Sequence, residues 1–227
     1  MIMLKKIQQF RDNNPFFTVM LIALVVRLLA IFLLPFHGAN LDRQDTNLTS
    51  SLASHVYSSL KESLSPTAVM ILGRSFYALV SMVIVALVYR ITDLLSDKKK
   101  AWIVGTIAAI SCIMPSFGIV YLVSTFIGLP FLLYGLLVIL RQEVLRDAKH
   151  EHKLHRSSFL IAGFSLGLSV CLWRQSAFLL IGILIILLSR REHKECLLTL
   201  IGSLIAIGLV IGMLFIFSNN PTQYLTL

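Results

Sequence analysis

The amino-acid sequence reads as an all-α, polytopic bundle of transmembrane helices, and three observations carry that reading. Hydrophobic residues make up 57% of the 227 and charged residues only 14%, against roughly 25% charged residues in soluble domains. Apolar runs long enough to cross a hydrocarbon core of about 30 Å recur along the whole chain. The basic residues gather at alternate junctions between those runs, the pattern that orients a membrane protein. The net charge of +9 therefore belongs to topology, and nucleic acid is not an expected partner.

Seven spans are expected, in one membrane-embedded domain covering residues 1–227. The first, 16–36, follows the basic start MIMLKKIQQFRDNNPFF and lacks a small-residue cleavage site, so it reads as a retained helix rather than a signal peptide. The second is 67–89. The third, 101–114, is short and ends at the turn-prone MPSFG (114–118). Span 120–140 follows, then 158–172 and 176–189, which flank CLWRQS (171–176) and could instead form one long bent helix; 197–217 is the last.

Charge favours the break at Trp173-Arg174. Segments 1–15, 90–100, 141–156 and 190–195 hold 3, 4, 5 and 3 Lys or Arg, 15 of the 20 in the chain. With seven spans all four fall on the cytoplasmic side, which puts the N-terminus inside and the C-terminus outside. A single span over 158–189 would turn 190–195 outward. The opposite face receives the outer loop 37–66, whose middle, SSLASHVYSSL, has Leu52, Val56 and Leu60 recurring every four residues, as in a helix lying on a membrane surface. A bacterial plasma membrane and an endoplasmic reticulum present the same topology. Cys112, Cys171 and Cys196 are odd in number and lie in or beside apolar segments, which points to buried fillers rather than a disulfide framework.

Three arginines fall outside the cytoplasmic segments and the outer loop. Arg27 lies near the middle of the first span, Arg74 about two turns into the second, and Arg174 in the turn after Trp173. An arginine at the centre of a span costs a few kcal/mol, so it faces protein or a wet cavity. No span supplies a carboxylate. The partners are then backbone carbonyls, the outer-loop acids, or an anion from outside the chain, such as a lipid phosphate, which a planar guanidinium binds through two parallel hydrogen bonds. Plainer roles are open to each: Arg27 satisfies backbone groups of a neighbouring helix, Arg74 snorkels to the outer headgroups, and Arg174 beside Trp173 anchors at the interface.

In LDRQD (41–45), Asp42 and Asp45 stand three apart just after the first apolar run. On a helix that spacing puts both carboxylates on one side. One could take a proton from an acceptor hydroxyl while the other tunes its pKa or holds a divalent cation, an optional cofactor. Alternatively both are solvated loop acids, with Asp45 capping a helix that begins near Thr46.

The order of these features resembles the N-terminal module of the GT-C membrane glycosyltransferases, which take sugars from polyprenyl-phosphate donors. LIALVVRLLAIFLLP (21–35) is similar to their first helix, and DTNLTSSLA (45–53) to the motif of the acidic loop that follows it. LGRSFYALVSMVIVALVYRITDLLSDKKKAWIVGTIAAISCIMP (72–115) resembles their second and third helices with a basic inner turn. IAGFSLGLSVCLWRQSAFLLIGILIILL (161–188) resembles their paired short helices with an arginine at the junction. Thr49 stands where the family usually has an aromatic residue, and VSTFIG (123–128) has no acid where many members carry one.

The resemblance implies sugar transfer at the outer or luminal face. Asp45 would be the catalytic base with Asp42 the second candidate, and Arg174 and Arg74 would hold the lipid phosphate; Arg27, from its place inside the first span and not from the resemblance, is the third arginine expected to bind it. Expected partners are a polyprenyl-phosphate-sugar donor, membrane lipids and a membrane-protein partner. Two other readings stand beside it. One is a non-catalytic scaffold or lipid-phosphate-binding subunit. The other is a small transporter or flippase, for which broken helices in two related halves are expected.

Other motifs are less informative. KHEHKLH (149–155), with His150, His152 and His155, reads as a solvated basic loop, and no metal site is expected there or at His193. DKKK (97–100) is a topology signal with room for anionic-lipid contact. Gly163 and Gly167, four apart in AGFSLGLS (162–169), predict close helix packing.

Overall fold

The computed structural model of the chain describes residues 14–33, 63–111, 123–147 and 156–217. Seven helices lie in these segments: α1 (Pro15–Leu33), α2 (Pro66–Leu95), α3 (Lys98–Ser111), α4 (Val123–Asp147), α5 (Arg156–Leu172), α6 (Ser176–Ser189) and α7 (His193–Phe217). There is no strand among the described residues. The all-α expectation holds.

Three helical segments are long and apolar enough to cross a membrane: Ile71–Leu95, Phe126–Arg146 and His193–Met213. In each, only 22% of the most apolar window is buried within the protein. Most of that apolar surface therefore faces outward, which suits a hydrocarbon solvent and not water. Seven crossings are not reached on length. The stretches Pro15–Ile31, Ser157–Leu172 and Ser176–Ser189 are apolar but shorter, and α3 and α6 have 14 residues each. At 1.5 Å per residue, 14 residues rise about 21 Å, less than the ~30 Å hydrocarbon core.

Several boundaries differ from the expected spans for a local reason. α2 runs through Arg90 to Leu95, and α4 runs through RQEVLRD to Asp147. Those basic stretches were expected to be loops, but Arg, Gln, Glu and Leu are good helix formers and the backbone does not need to stop where the apolar run does. Starts are set by capping chemistry. Ser65 accepts a hydrogen bond from the Ala68 N–H at 3.3 Å, with Pro66 at the first helical position. Asp97 accepts from the Lys100 N–H at 2.7 Å and starts α3 only two residues after α2 ends.

The helices form two compact units, here described separately: α1–α3 in the first and α4–α7 in the second. In the first, α1 and α2 are antiparallel, because Phe16 meets Tyr89 near one end (ring centroids 5.2 Å apart) while Ile31 meets Arg74 near the other. α3 runs alongside α1, with Gly105 against Val19 and Ala109 against Arg27. Val19, Ala23, Val85, Tyr89, Ala101 and Ala109 are the buried core.

In the second unit α4 and α5 are antiparallel. Gly128 lies beside Leu172 and Trp173, Ser165 Oγ donates to the Phe131 carbonyl at 2.7 Å, and Gln142 Nε2 donates to Ser158 Oγ at 3.2 Å. α5 and α7 run parallel along a seam of small residues in which Gly163 faces Thr199, Gly167 faces Ser203 and Gly202 faces Leu160. A Cβ on Gly163 would overlap the Thr199 backbone carbonyl. The expected close packing of Gly163 and Gly167 is thus present, and glycine is required because backbone meets backbone. α6 runs back along α7, Cys196 Sγ lying 3.7 Å from the Leu184 carbonyl. The chain therefore reverses between α5 and α6. The broken pair, not the single bent helix, is what forms.

Candidate functional site

Arg27 sits between all three helices of the first unit and is 4% exposed. Its Nε donates to Ser81 Oγ at 2.7 Å, Nη2 also reaches Ser81, and Nη1 donates to the carbonyls of Ala23 and Ala109, both at 2.9 Å. Ala23 lies one turn back on α1, Ser81 on α2 and Ala109 in the last turn of α3. One planar guanidinium with its fork of donors spans partners on three helices, which a single ammonium does not do as well.

Arg74 is 5% exposed, and its Nη1 donates to the Ile31 carbonyl at 3.1 Å. Ile31 lies in the last turn of α1, where carbonyls lack helical donors and the helix dipole favours a cation. Arg74 is folded into the unit and does not snorkel outward. Of the partners open to these two arginines, backbone carbonyls are among those they take. Ser81 is the partner that sequence reasoning missed. It lies seven residues after Arg74, two turns along the same face of α2, and that spacing was the available signal.

Arg174 has a different setting. It is exposed in the turn Trp173–Gln175 that reverses the chain between α5 and α6. The turn is tied by the Ser176 and Ala177 N–H groups, which donate to the carbonyls of Trp173 (2.9 Å) and Arg174 (3.0 Å), and by Ser176 Oγ to the Trp173 carbonyl at 2.7 Å. Trp173 Nε1 donates to Gln175 Oε1 at 3.1 Å, so the indole is oriented by its own turn. Among the described residues the Arg174 guanidinium has no hydrogen bond or ion pair, and an anion has open access to it.

Arg27 and Arg74 thus share the first unit, joined along the α1–α2 seam, and Arg174 belongs to the second. Asp42 and Asp45 lie outside the described residues, as do His150, His152 and His155. Among the described residues no three His, Cys, Asp or Glu side chains come together as a metal site.

Comparison with known protein families, curated proteins and solved structures returned no match.

One polar cluster was not anticipated. Glu143 and Arg146, three apart on α4, pair with Arg190 and Glu192 of the turn between α6 and α7. Glu192 is 6% exposed, and its other carboxylate oxygen is buried without a partner among the described residues. The 141–147 and 190–195 segments therefore meet at one end of the second unit. The i, i+3 spacing of opposite charges on α4 was legible; their partners, more than 40 residues on, were not.

Proposed function

We propose that the chain is a polytopic membrane protein that binds a polyprenyl-phosphate lipid and transfers a sugar from it to an acceptor hydroxyl. Arg174 carries the reading. It is an exposed guanidinium at a helix reversal, beside an indole, where apolar helices end. Trp and Arg in such a place sit at headgroup level, and guanidinium matches a phosphate through two parallel hydrogen bonds.

In the proposed reaction Asp45, or Asp42, takes the proton of the acceptor hydroxyl. The acceptor oxygen bonds to the anomeric carbon as the bond from that carbon to the phosphate oxygen breaks, and the electron pair leaves on the lipid phosphate. Arg174 steadies that charge. Arg27 and Arg74 hold α1 against its neighbours in the first unit. The seven crossings, the cytoplasmic N-terminus and a bacterial plasma or endoplasmic reticulum membrane belong to the same proposal.

A second reading is a lipid-phosphate-binding scaffold without chemistry. It is favoured by the engagement of Arg27 and Arg74 in helix packing, which leaves Arg174 as the exposed one of the three arginines expected to bind a lipid phosphate.

The test is binding of a polyprenyl phosphate to the purified protein, together with transfer from polyprenyl-phosphate-linked sugars. Arg174→Ala is expected to weaken binding by about ten- to a hundredfold, the effect of roughly 1.5–3 kcal/mol from a charge-assisted hydrogen bond. Asp45→Asn, alone or with Asp42→Asn, is expected to abolish transfer and leave binding intact. Binding without transfer in the wild type selects the scaffold. A folded wild type that binds no polyprenyl phosphate overturns both readings.

A further inference from the structure

Arg191 has a backbone φ of 61°, the only positive value at a non-glycine residue among the described residues. The position has a clear geometric role. The Arg191 N–H donates to the Leu188 carbonyl and the Glu192 N–H to the Leu187 carbonyl, both at 3.0 Å, the paired bonds that close a helix with a left-handed residue. Glycine takes this place in most helices because a Cβ is strained there. Here a long cationic side chain stands at that position, and strained backbone of this kind is held by its surroundings and clusters at ligand clamps and active sites.

The surroundings show what that side chain does not do. Arg190 is paired with Glu143 and Arg146 with Glu192, and these two pairs fasten the turn to α4. Arg191 needs no part in them. It is exposed, as is Lys194 three residues on, and neither side chain has a hydrogen bond or ion pair among the described residues. Glu195, half-buried in the first turn of α7, is the remaining acid of the segment, and Arg141 on α4 adds another exposed cation. Apolar side chains frame the turn on both helices: Ile185 and Leu188 on α6 and Leu197 on α7 are all more than half exposed. Two cations therefore stand where two exposed apolar surfaces end.

We propose that Arg191 and Lys194 hold the phosphodiester headgroup of an anionic phospholipid at the α6–α7 turn. The guanidinium can engage two phosphate oxygens and the ammonium adds a point charge. Acyl chains lie along the exposed face of α6 and α7. The site is at the other end of α6 from Arg174, about 21 Å away along a 14-residue helix, and does not depend on the proposed transfer reaction.

The measurement is thermal unfolding of the full chain in nanodiscs of phosphatidylglycerol or of phosphatidylcholine, with native mass spectrometry of retained lipid. Arg191→Gly separates backbone from charge. In phosphatidylcholine it is expected to melt above the wild type, because the strain is relieved. In phosphatidylglycerol the wild type gains a stabilisation that falls in Arg191→Gly, falls further in Arg191→Gly/Lys194→Gln, and persists in Arg191→Lys. Occupancy by phosphatidylglycerol is expected to drop about fivefold per charge removed. An unchanged phosphatidylglycerol-over-phosphatidylcholine shift in the double variant overturns the proposal. So does an equal shift produced by soluble glycerol phosphate in phosphatidylcholine discs, which would make the ligand a free phosphate ester.

Discussion

Arg27 and Arg174 show how one residue type is put to opposite uses by its position. Arg27 is enclosed by three helices and donates to Ser81, Ala23 and Ala109, so its charge serves packing. Arg174 is held out at a turn and keeps its donors for something else. Removing a buried guanidinium leaves Ser81 and a cavity behind. Arg27→Ala is therefore expected to destabilise the protein by about 3 kcal/mol, read by denaturant titration in detergent. Arg27→Lys should recover less than half of that loss, because one ammonium cannot span partners on three helices. A lysine variant as stable as the wild type would mean that charge alone, not the planar fork, is what the site needs. The presence of a charge in the first apolar run was plain from sequence; Ser81 and Ala109, 54 and 82 residues away, were not.

At the scale of elements, the α5–α7 seam is the tightest packing in the second unit. Gly163, Gly167 and Gly202 each face backbone of the opposite helix. Gly163→Ala is expected to push the helices apart and cost about 2–3 kcal/mol. Gly182 on α6 is the control, since a Cβ there meets nothing within 4 Å. Gly182→Ala should be neutral or stabilise by up to about 1 kcal/mol through helix propensity. Melting temperatures of the two variants in one detergent check the contrast, and equal effects would mean that the seam is not close-packed. Small residues four apart announced a close contact, but not which helix makes it. Parallel pairing of α5 with α7 needs α6 to reverse between them, and the Trp173–Gln175 turn supplies the reversal.

For the whole molecule the open quantity is the number of membrane crossings. Three helical segments reach the length and apolarity to cross, whereas charge distribution asks for seven spans. Single cysteines at 99, 174 and 191, introduced after replacing Cys112, Cys171 and Cys196, resolve this by labelling with an impermeant reagent. Seven crossings require 99 and 191 to label from one side and 174 from the other. Labelling of 174 and 191 from the same side would show that α6, at 14 residues, enters without crossing. If that shared side is also the one from which 99 labels, Arg174 is separated from the face to which sugar transfer is assigned.

Composition and apolar runs sufficed for the helical class seen in all the described residues and for three helices long and apolar enough to cross a membrane, because hydrocarbon leaves the backbone no alternative to internal hydrogen bonds. They also favoured the α5–α6 break, since a single span over 158–189 would put the basic segment 190–195 on the side opposite the other basic segments. The tertiary structure decided what each charge does. Arg74 turns inward to the end of α1, four charged residues of α4 and the α6–α7 turn pair off, and Arg191 is left in a strained backbone with its side chain outside. Those outcomes depend on which carbonyls and carboxylates long-range packing brings within about 3 Å, and hydrogen bonds at that range are not encoded in any local window of sequence.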